Sequence, residues 1–133
     1  METLNPATVS RPEDFHRTWA AAFNAGDRTA ALALFEPNAT MVAQPGQVVQ
    51  GIEAIGYALD AFLALGAKIQ HYPKLIVQSA DLALIIADWN LSSTDPAGNP
   101  LNLIGQTADV VRKQADGRWL LAIDNPFGSQ GAL

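Results

Sequence analysis

The chain has 133 residues, of which 49% are hydrophobic and 16% charged, a balance that excludes intrinsic disorder and allows a single domain with a buried core. Its net charge of -5 and its lack of a basic cluster exclude a nucleic-acid interface, and the absence of cysteine excludes disulfides, thiol catalysis and cysteine–zinc sites. No apolar run approaches the length of a membrane span, and residues 1–11 lack a signal-peptide core, so we expect a cytoplasmic protein without membrane contact.

The N-terminal segment predicts an arm followed by a helix. Residues 1–9, which include Pro6, predict a loose arm. Ser10 and Glu13 have the spacing of a capping box, in which each side chain bonds a free backbone amide of the first helical turn. Apolar residues then recur at helical spacing. The sequence therefore predicts a first helix that begins beside Ser10 and ends near Asn24.

Two further helices are predicted on either side of a hairpin. Asp27 is expected to cap a short second helix that Pro37 ends, because proline cannot continue a helix. Residues 39–43 and 48–49 predict a strand and its short return around a Pro-Gly turn. Residues 51–65 predict a third helix with its apolar residues on one face.

From residue 67 onward the pattern is that of β-strands. Turn-forming residues separate four long candidates, which are residues 68–78, 82–93, 101–114 and 118–124. Helices followed by a run of strands predict an α+β fold, with three N-terminal helices packed on a curved antiparallel sheet. A small sheet of long strands curls, and helices that close it leave a cone with a cavity at its open end. No repeat or linker interrupts the chain, so residues 1–133 are predicted to form a single domain.

Short motifs at three places carry a family resemblance. They are residues 23–27 (Phe-Asn-Ala-Gly-Asp), residues 34–40, and a closing pair at 116–119 and 124–126. Together they resemble the nuclear-transport-factor-2-like superfamily, in particular its SnoaL-like proteins related to ketosteroid isomerases. The resemblance spans residues 12–127 and implies the cystatin-like cone fold.

The function that this resemblance implies is proton transfer on a bound small molecule. A SnoaL-like isomerase, cyclase or dehydratase acting on a hydrophobic carbonyl compound is the first reading. Because the superfamily also holds proteins without catalytic activity, a non-catalytic ligand-binding domain or a dimeric interaction domain remains the alternative. The resemblance implies no cofactor.

Ketosteroid isomerases use an aspartate base and an oxyanion hole made by a tyrosine and a protonated aspartic acid. On this chain the resemblance places the tyrosine position at Trp19, the base position at Gln44 and the oxyanion acid at Asp109. An amide cannot accept a proton at neutral pH, so the usual aspartate base is missing. Asp109 is therefore the predicted catalytic residue, as an acid or a base.

Further side chains are predicted to bind the substrate. They are Trp19, Tyr57, Trp89, His71 and Asn125. Four of them have a structural alternative: tryptophans are usually core residues, Tyr57 could lie at the surface, and Asn125 could simply close a polar turn at the cavity mouth. Nothing in the sequence places the fifth, His71, beside Asp109.

Two more polar residues are expected to lie outside the site. His16 is predicted to face solvent on the first helix, and two histidines so far apart in sequence do not predict a metal site. Asp124 is predicted on the strand face opposite to Leu121, because side chains alternate along a strand.

The outer face of the sheet suggests a partner. Alternate residues of 82–91 and 101–111 are apolar, and in relatives of this fold the face not covered by helices commonly joins two subunits. We therefore predict a homodimer through the outer sheet face, with a small hydrophobic molecule as the ligand.

Overall fold

The computed structural model describes residues 8–131 of the chain. Its helices are α1 (Phe15–Asn24), α2 (Arg28–Leu32) and α3 (Ile52–Leu63), with short 3-10 turns at Pro12–Asp14 and Gly128–Gly131. Its strands are β1 (Phe35–Gln44), β2 (Gln47–Gln50), β3 (Lys68–Ser79), β4 (Leu82–Thr94), β5 (Pro100–Lys113) and β6 (Trp119–Asp124).

The six strands form one sheet in the order β2-β1-β6-β5-β4-β3. Neighbouring strands are antiparallel except β1 and β6, which run parallel with Thr40 opposite Ile123. The sheet is therefore mixed rather than wholly antiparallel. The prediction of an α+β cone fold, with three helices packed on a curved sheet, is confirmed.

The core lies between the helices and the inner face of the sheet. Alternate residues of β4 show this, because Ala83 and Ile85 are buried while Leu82 and Leu84 are exposed. No helix within residues 8–131 has both the length and the apolar character needed to cross a bilayer.

The start of α1 differs from the predicted capping box. A 3-10 turn at Pro12–Asp14 precedes the helix, and its N-cap, Arg11, makes no side-chain capping bond. Asp14 instead accepts hydrogen bonds from the guanidinium groups of Arg11 and Arg17. The capping-box prediction is therefore wrong, because ion pairs and the proline turn order this end of the helix.

The predicted N-terminal arm is partly outside the described residues. Residues 1–7 lie there, but Val9 is buried in the core, and its carbonyl accepts a hydrogen bond of 2.8 Å from the backbone amide of Trp119. At Val9 the prediction of a loose segment is therefore wrong.

The second helix has the predicted cap and an earlier end. The side chain of Asp27 accepts a hydrogen bond of 3.0 Å from the amide of Ala30, as predicted. The helix ends at Leu32, and Phe35 already begins β1. Phe35 is buried and paired with Leu121, so pairing with β6 decides its conformation and Pro37 lies inside a strand.

Asn24 joins the first helix to the sheet. Its side-chain amide donates 2.9 Å to the carbonyl of Ile69, and its side-chain oxygen accepts 2.7 Å from the amide of the same residue. This two-way bond fixes the end of α1 on β3. Residues 23–27, one of the motifs that carry the family resemblance, therefore have a structural role.

Strand β3 contains a bulge beside its proline. Pro73 pairs with Ala87 and Leu75 with Ile86, which leaves Lys74 without an opposite residue. Proline lacks the amide proton of a ladder bond, and an edge strand with a bulge tolerates it. Before the bulge, Ile69 and His71 point to the inner face.

Candidate active site

A cavity of about 110 Å³ lies between the helices and the inner face of the sheet. Most of its lining is apolar and much of it is aromatic, with contributions from Phe15, Trp19, Phe23, Phe62, Trp89 and Phe127. Its polar lining residues are fewer, and they are His16, His71, Thr107, Asp109 and Asp124. A small apolar cavity with a few convergent polar groups is a typical small-molecule site.

The central feature of the site is a buried pair of His16 and Asp109. The Nε2 atom of His16 lies 2.6 Å from the Oδ2 atom of Asp109, and the two residues are 4% and 2% exposed. The prediction that His16 faces solvent is wrong. His16 lies on the inward face of α1, over β5. The helix residue that bonds Asp109 is therefore His16, one turn before Trp19, which is the position that the resemblance implies.

Asp109 is held in its charged form. Burial alone raises its pKa, but the hydrogen bond and the charge of His16, together with a 2.8 Å bond from the backbone amide of Asn125, hold it below the usual value. Since the carboxylate accepts, the proton of the short contact lies on Nε2 of His16.

Asp124 is a second carboxyl group beside the first. Burial, and then the charge of Asp109 with which it shares a hydrogen bond, raise the pKa of Asp124 well above the usual value. Two adjacent carboxyl groups with pKa values moved in opposite directions can serve as an acid and a base. The environment thus favours the ionised form of Asp109 and the protonated form of the neighbouring Asp124.

A bulge in β6 explains why the sequence did not place Asp124 in the site. Val111 pairs with Leu121 and Val110 with Ile123, which leaves Ala122 as an extra residue on β6. A bulge shifts the alternation of side chains by one position. Leu121 and Asp124 therefore both line the cavity, although their spacing predicts opposite faces.

His71 packs against His16 across the cavity. Their ring centroids are 4.7 Å apart, and Trp19 meets His71 edge-on at 6.0 Å. Burial, with a smaller effect of the nearby His16, lowers the pKa of His71 to about 4. Its Nδ1 atom and the Nε1 atom of Trp19 are buried and lack hydrogen-bond partners among residues 8–131.

Trp89 forms one wall of the cavity. Its indole lies across Gly105 on the neighbouring strand, where a methyl group would come within 2.4 Å of the ring. The Nε1 atom of Trp89 donates a hydrogen bond of 2.7 Å to the carbonyl of Pro126. This bond holds the segment after β6 against the end of the cavity.

The structure brings together four of the six predicted site residues. Asp109, Trp19, Trp89 and His71 all line the cavity.

The remaining predicted positions lie elsewhere. Tyr57 is 69% exposed on α3, and Asn125 directs its side-chain amide to the carbonyl of Gly128 rather than into the cavity. Gln44, at the position implied for the base, ends β1 at an exposed turn. The structure therefore gives neither Tyr57 nor Asn125 a side-chain position at the site.

The chain matches one family model. The model for the SnoaL-like domain matches residues 16–122. No curated protein is significantly similar to the chain in sequence.

Several solved structures have the same fold. A ketosteroid isomerase-like protein from Erwinia carotovora atroseptica is 23% identical, with a TM-score of 0.69 over 80% of this chain and 84% of that one. A candidate dehydratase of the NTF2-like family from Streptomyces avermitilis is 20% identical, with a TM-score of 0.67 over 80% and 85%. The association domain of C. elegans CaMKII is 20% identical, with a TM-score of 0.65 over 81% and 85%. At these identities the likeness is one of fold.

Proposed function

The chain belongs to the SnoaL-like domain family, and from this premise we propose that it is a proton-transfer enzyme acting on a small apolar carbonyl compound. The observation that carries the proposal is the 2.6 Å contact between His16 and Asp109, buried at the wall of the cavity. The reaction class is that of an isomerase, cyclase or dehydratase. Membership of the family supports the fold, and the paired side chains of His16 and Asp109 support the proposed proton transfer.

His16 is the proposed base. When the ring is neutral and its Nε2 proton is donated to Asp109, its Nδ1 atom carries the lone pair that can accept a proton. Asp109 orients the ring and stabilises the positive charge that the ring gains when it takes a proton. This arrangement replaces the base that is missing at Gln44, and it uses a different element, α1.

Asp124 is the proposed acid. His16 removes a proton from the carbon next to the carbonyl group, and the electron pair of that C–H bond forms a carbon–carbon double bond. The carbonyl oxygen takes the proton of the neutral Asp124 carboxyl group, which gives an enol. In a β,γ-unsaturated ketone, His16 then returns its proton to the γ-carbon while the enol gives its proton back to Asp124, which re-forms the carbonyl group and completes an isomerisation. In a β-hydroxy ketone, His16 gives its proton to the leaving hydroxyl group, which departs as water while the enol returns its proton to Asp124, and this completes a dehydration. Each step moves a proton between groups that line one cavity.

Replacement of Asp109 tests the proposed function. We expect Asp109→Asn to lower turnover by about 10²–10⁴-fold, because an amide no longer holds His16 in the required tautomer. Deuterium incorporated from D₂O next to the carbonyl group, followed by NMR for a set of small ketones, measures proton transfer even where no product accumulates.

Asp88→Asn is the matched control for this test. Asp88 lies on the outer face of β4, where it is bonded to Lys74 and Gln106, so the same substitution there leaves exchange unchanged. His16→Gln is the second variant, and it removes the proposed base while Asp109 remains. Circular dichroism tests whether each variant folds. Unchanged exchange in folded Asp109→Asn or His16→Gln would contradict the proposed function.

The alternative is a ligand-binding domain without chemistry. It is favoured by the exposed position of Gln44, because the position that the resemblance assigns to the base then contributes nothing to the cavity. Ligands that bind in the cavity without any deuterium incorporation would support this alternative.

We also propose that the chain forms a homodimer through the outer face of the sheet. Six apolar side chains lie side by side there according to the strand register, and we call them the outer apolar block: Leu75, Val77, Leu84, Ile86, Val110 and Ile123. A contiguous apolar patch of this kind typically marks an interface, and a two-fold axis allows one patch to pair with itself. A cytoplasmic location remains a prediction from the sequence.

A further inference from the structure

We infer that the cavity selects an uncharged compound of about one small ring, which bears its oxygen function toward Asp109 and Asp124. This inference rests on the proposed function, since it names the substrate class of the same site. It follows from three properties of the cavity: its volume, the pairing of its charged groups and the construction of its end wall.

The volume sets the size. At about 110 Å³ the cavity is smaller than the roughly 300–1,000 Å³ of pockets for drug-sized ligands. It is close to an engineered apolar cavity of ~150 Å³ that binds benzene. A single six-membered ring therefore fits, whereas a second fused ring requires the aromatic lining to move.

The lining offers no counterion to an anion. No arginine or lysine contributes to the cavity lining within residues 8–131. Of the two imidazole rings, His16 is already bonded to Asp109, and His71 is uncharged at neutral pH. A buried carboxylate without a partner is costly, and here it would also face the negative charge of Asp109.

The carboxyl groups of the cavity already have hydrogen-bond partners. One oxygen of Asp109 accepts from His16, and the other accepts from the backbone amide of Asn125. Burial, the charge of Asp109 and a hydrogen bond with it raise the pKa of Asp124, which favours the protonated form. An ammonium group in the cavity would therefore lose its water without gaining a free carboxylate, so a neutral ligand is favoured.

The end wall keeps the cavity small. Trp89, Leu103, Pro126 and Phe127 line both this cavity and a depression on the neighbouring surface. They thus separate the two spaces, and the hydrogen bond from Trp89 to Pro126 ties two parts of the wall together. A longer ligand would have to break that bond in order to extend outward.

A binding series tests this inference by isothermal titration calorimetry. The probes are 2-cyclohexen-1-one, 1-tetralone, a steroid enone, cyclohexanecarboxylate and cyclohexylamine. We expect the single-ring ketone to bind at least about tenfold more tightly than each of the others, since a larger ring forces overpacking and a charge is left unpaired.

Two variants of the same helix test whether the cavity volume sets the size limit. Phe62 lines the cavity from α3, so Phe62→Ala enlarges the space and should bring the affinity for 1-tetralone up to that for the single-ring ketone. Ile55 is fully buried on α3 but does not line the cavity, so Ile55→Ala should keep the wild-type preference.

Several outcomes would overturn the inference. They are equal or tighter binding of the two-ring, steroid or charged probes by the wild type, absence of binding by every probe at millimolar concentration, and the same change in both variants. Because the readout is binding, a protein that catalyses no exchange can still show the expected selectivity. If the protein catalyses deuterium exchange but binds the larger probes more tightly, this inference is contradicted and the proposed function still stands.

Discussion

His71 is a buried residue of the cavity whose protonation makes the stability of the protein depend on pH. It packs against His16, and burial lowers its pKa to about 4. In the unfolded chain a histidine binds a proton near pH 6.5. The folded protein therefore binds this proton less readily than the unfolded chain does.

We predict that His71→Phe weakens the loss of stability in acid. Between pH 6.5 and 4 the unfolded wild type holds more protons at this residue, so its free energy of unfolding falls as the pH falls. The lowered pKa makes this loss about 3 kcal/mol when complete, because a tenfold change in proton affinity corresponds to about 1.4 kcal/mol. The variant lacks this loss, and it also lacks the unpaired Nδ1 atom.

Urea denaturation of both proteins between pH 4 and pH 7.5 measures the difference. At pH 7.5 the free energy of unfolding of the variant should equal or exceed that of the wild type. The difference between the two should grow steadily as the pH falls to 4. Parallel pH profiles for the two proteins would show that His71 titrates as it does in the unfolded chain.

Single residues of the site differ in how far the sequence could reveal them. Asp109 could be found, because an acidic residue within an apolar strand has few inexpensive environments. His16 could not, since its position beside Phe15 on an amphipathic helix does not fix which of the two faces the sheet. Both are buried, with their rings edge to face at 5.4 Å. The reason for a histidine at this inward position is its bond to Asp109 on β5, and the sequence of the helix does not show that partner.

At the scale of elements, bulges decide which strand residues reach the cavity. The extra residue Ala122 turns Asp124 inward, and the extra residue Lys74 follows the inward His71. Sequence alternation assumes unbroken pairing, so it fails after such a residue. Pro73 is a local signal of the bulge in β3, whereas nothing in the apolar run around Ala122 marks the bulge in β6.

The packing of β4 side chains over β5 at the cavity wall also depends on one small residue. Gly105 lies opposite Trp89, and a methyl group at Gly105 would come within 2.4 Å of the indole. We predict that Gly105→Ala destabilises the protein by about 1–3 kcal/mol, because the indole must move and its bond to Pro126 is strained. Chemical denaturation measures this change.

Gly56→Ala provides the comparison on a helix. A methyl group there would come too close only to the flexible end of the Arg28 side chain, and alanine favours a helix more than glycine does. We expect a change between zero and about 1 kcal/mol of added stability. If the two alanine variants were equally stable, the indole of Trp89 would not be fixed against Gly105.

At the scale of the whole molecule, the order of elements made the fold predictable. Three amphipathic helices before four long strands predict helices on one face of a sheet, and the motif at residues 23–27 marks the junction that Asn24 fixes to β3. The parallel pairing of β1 with β6 could not be predicted in this way. It joins residues about 80 positions apart, such as Thr40 and Ile123, and no local pattern specifies such a pairing.

The outer apolar block leads to the prediction about assembly. Leu84 lies near its centre, between Val77 on β3 and Val110 on β5, and is 40% exposed. We predict that the wild type sediments with twice the 14.1 kDa mass of the chain at micromolar concentration, and that Leu84→Lys sediments as a monomer. A lysine at the centre of a two-fold interface faces its own copy, so that two positive charges are buried together without partners.

Tyr57→Lys is the control for this prediction, because it places the same charge on an exposed aromatic residue of α3 rather than on the outer face. It should leave the mass of the wild type unchanged. A wild-type mass of 14.1 kDa would contradict the dimer itself. If Leu84→Lys and Tyr57→Lys dissociate the dimer equally, the interface does not lie at the outer apolar block. Loss of the dimer in Leu84→Lys with the ligand preference retained would show that each subunit builds its cavity alone, since the outer face contributes no side chain of the block to the lining.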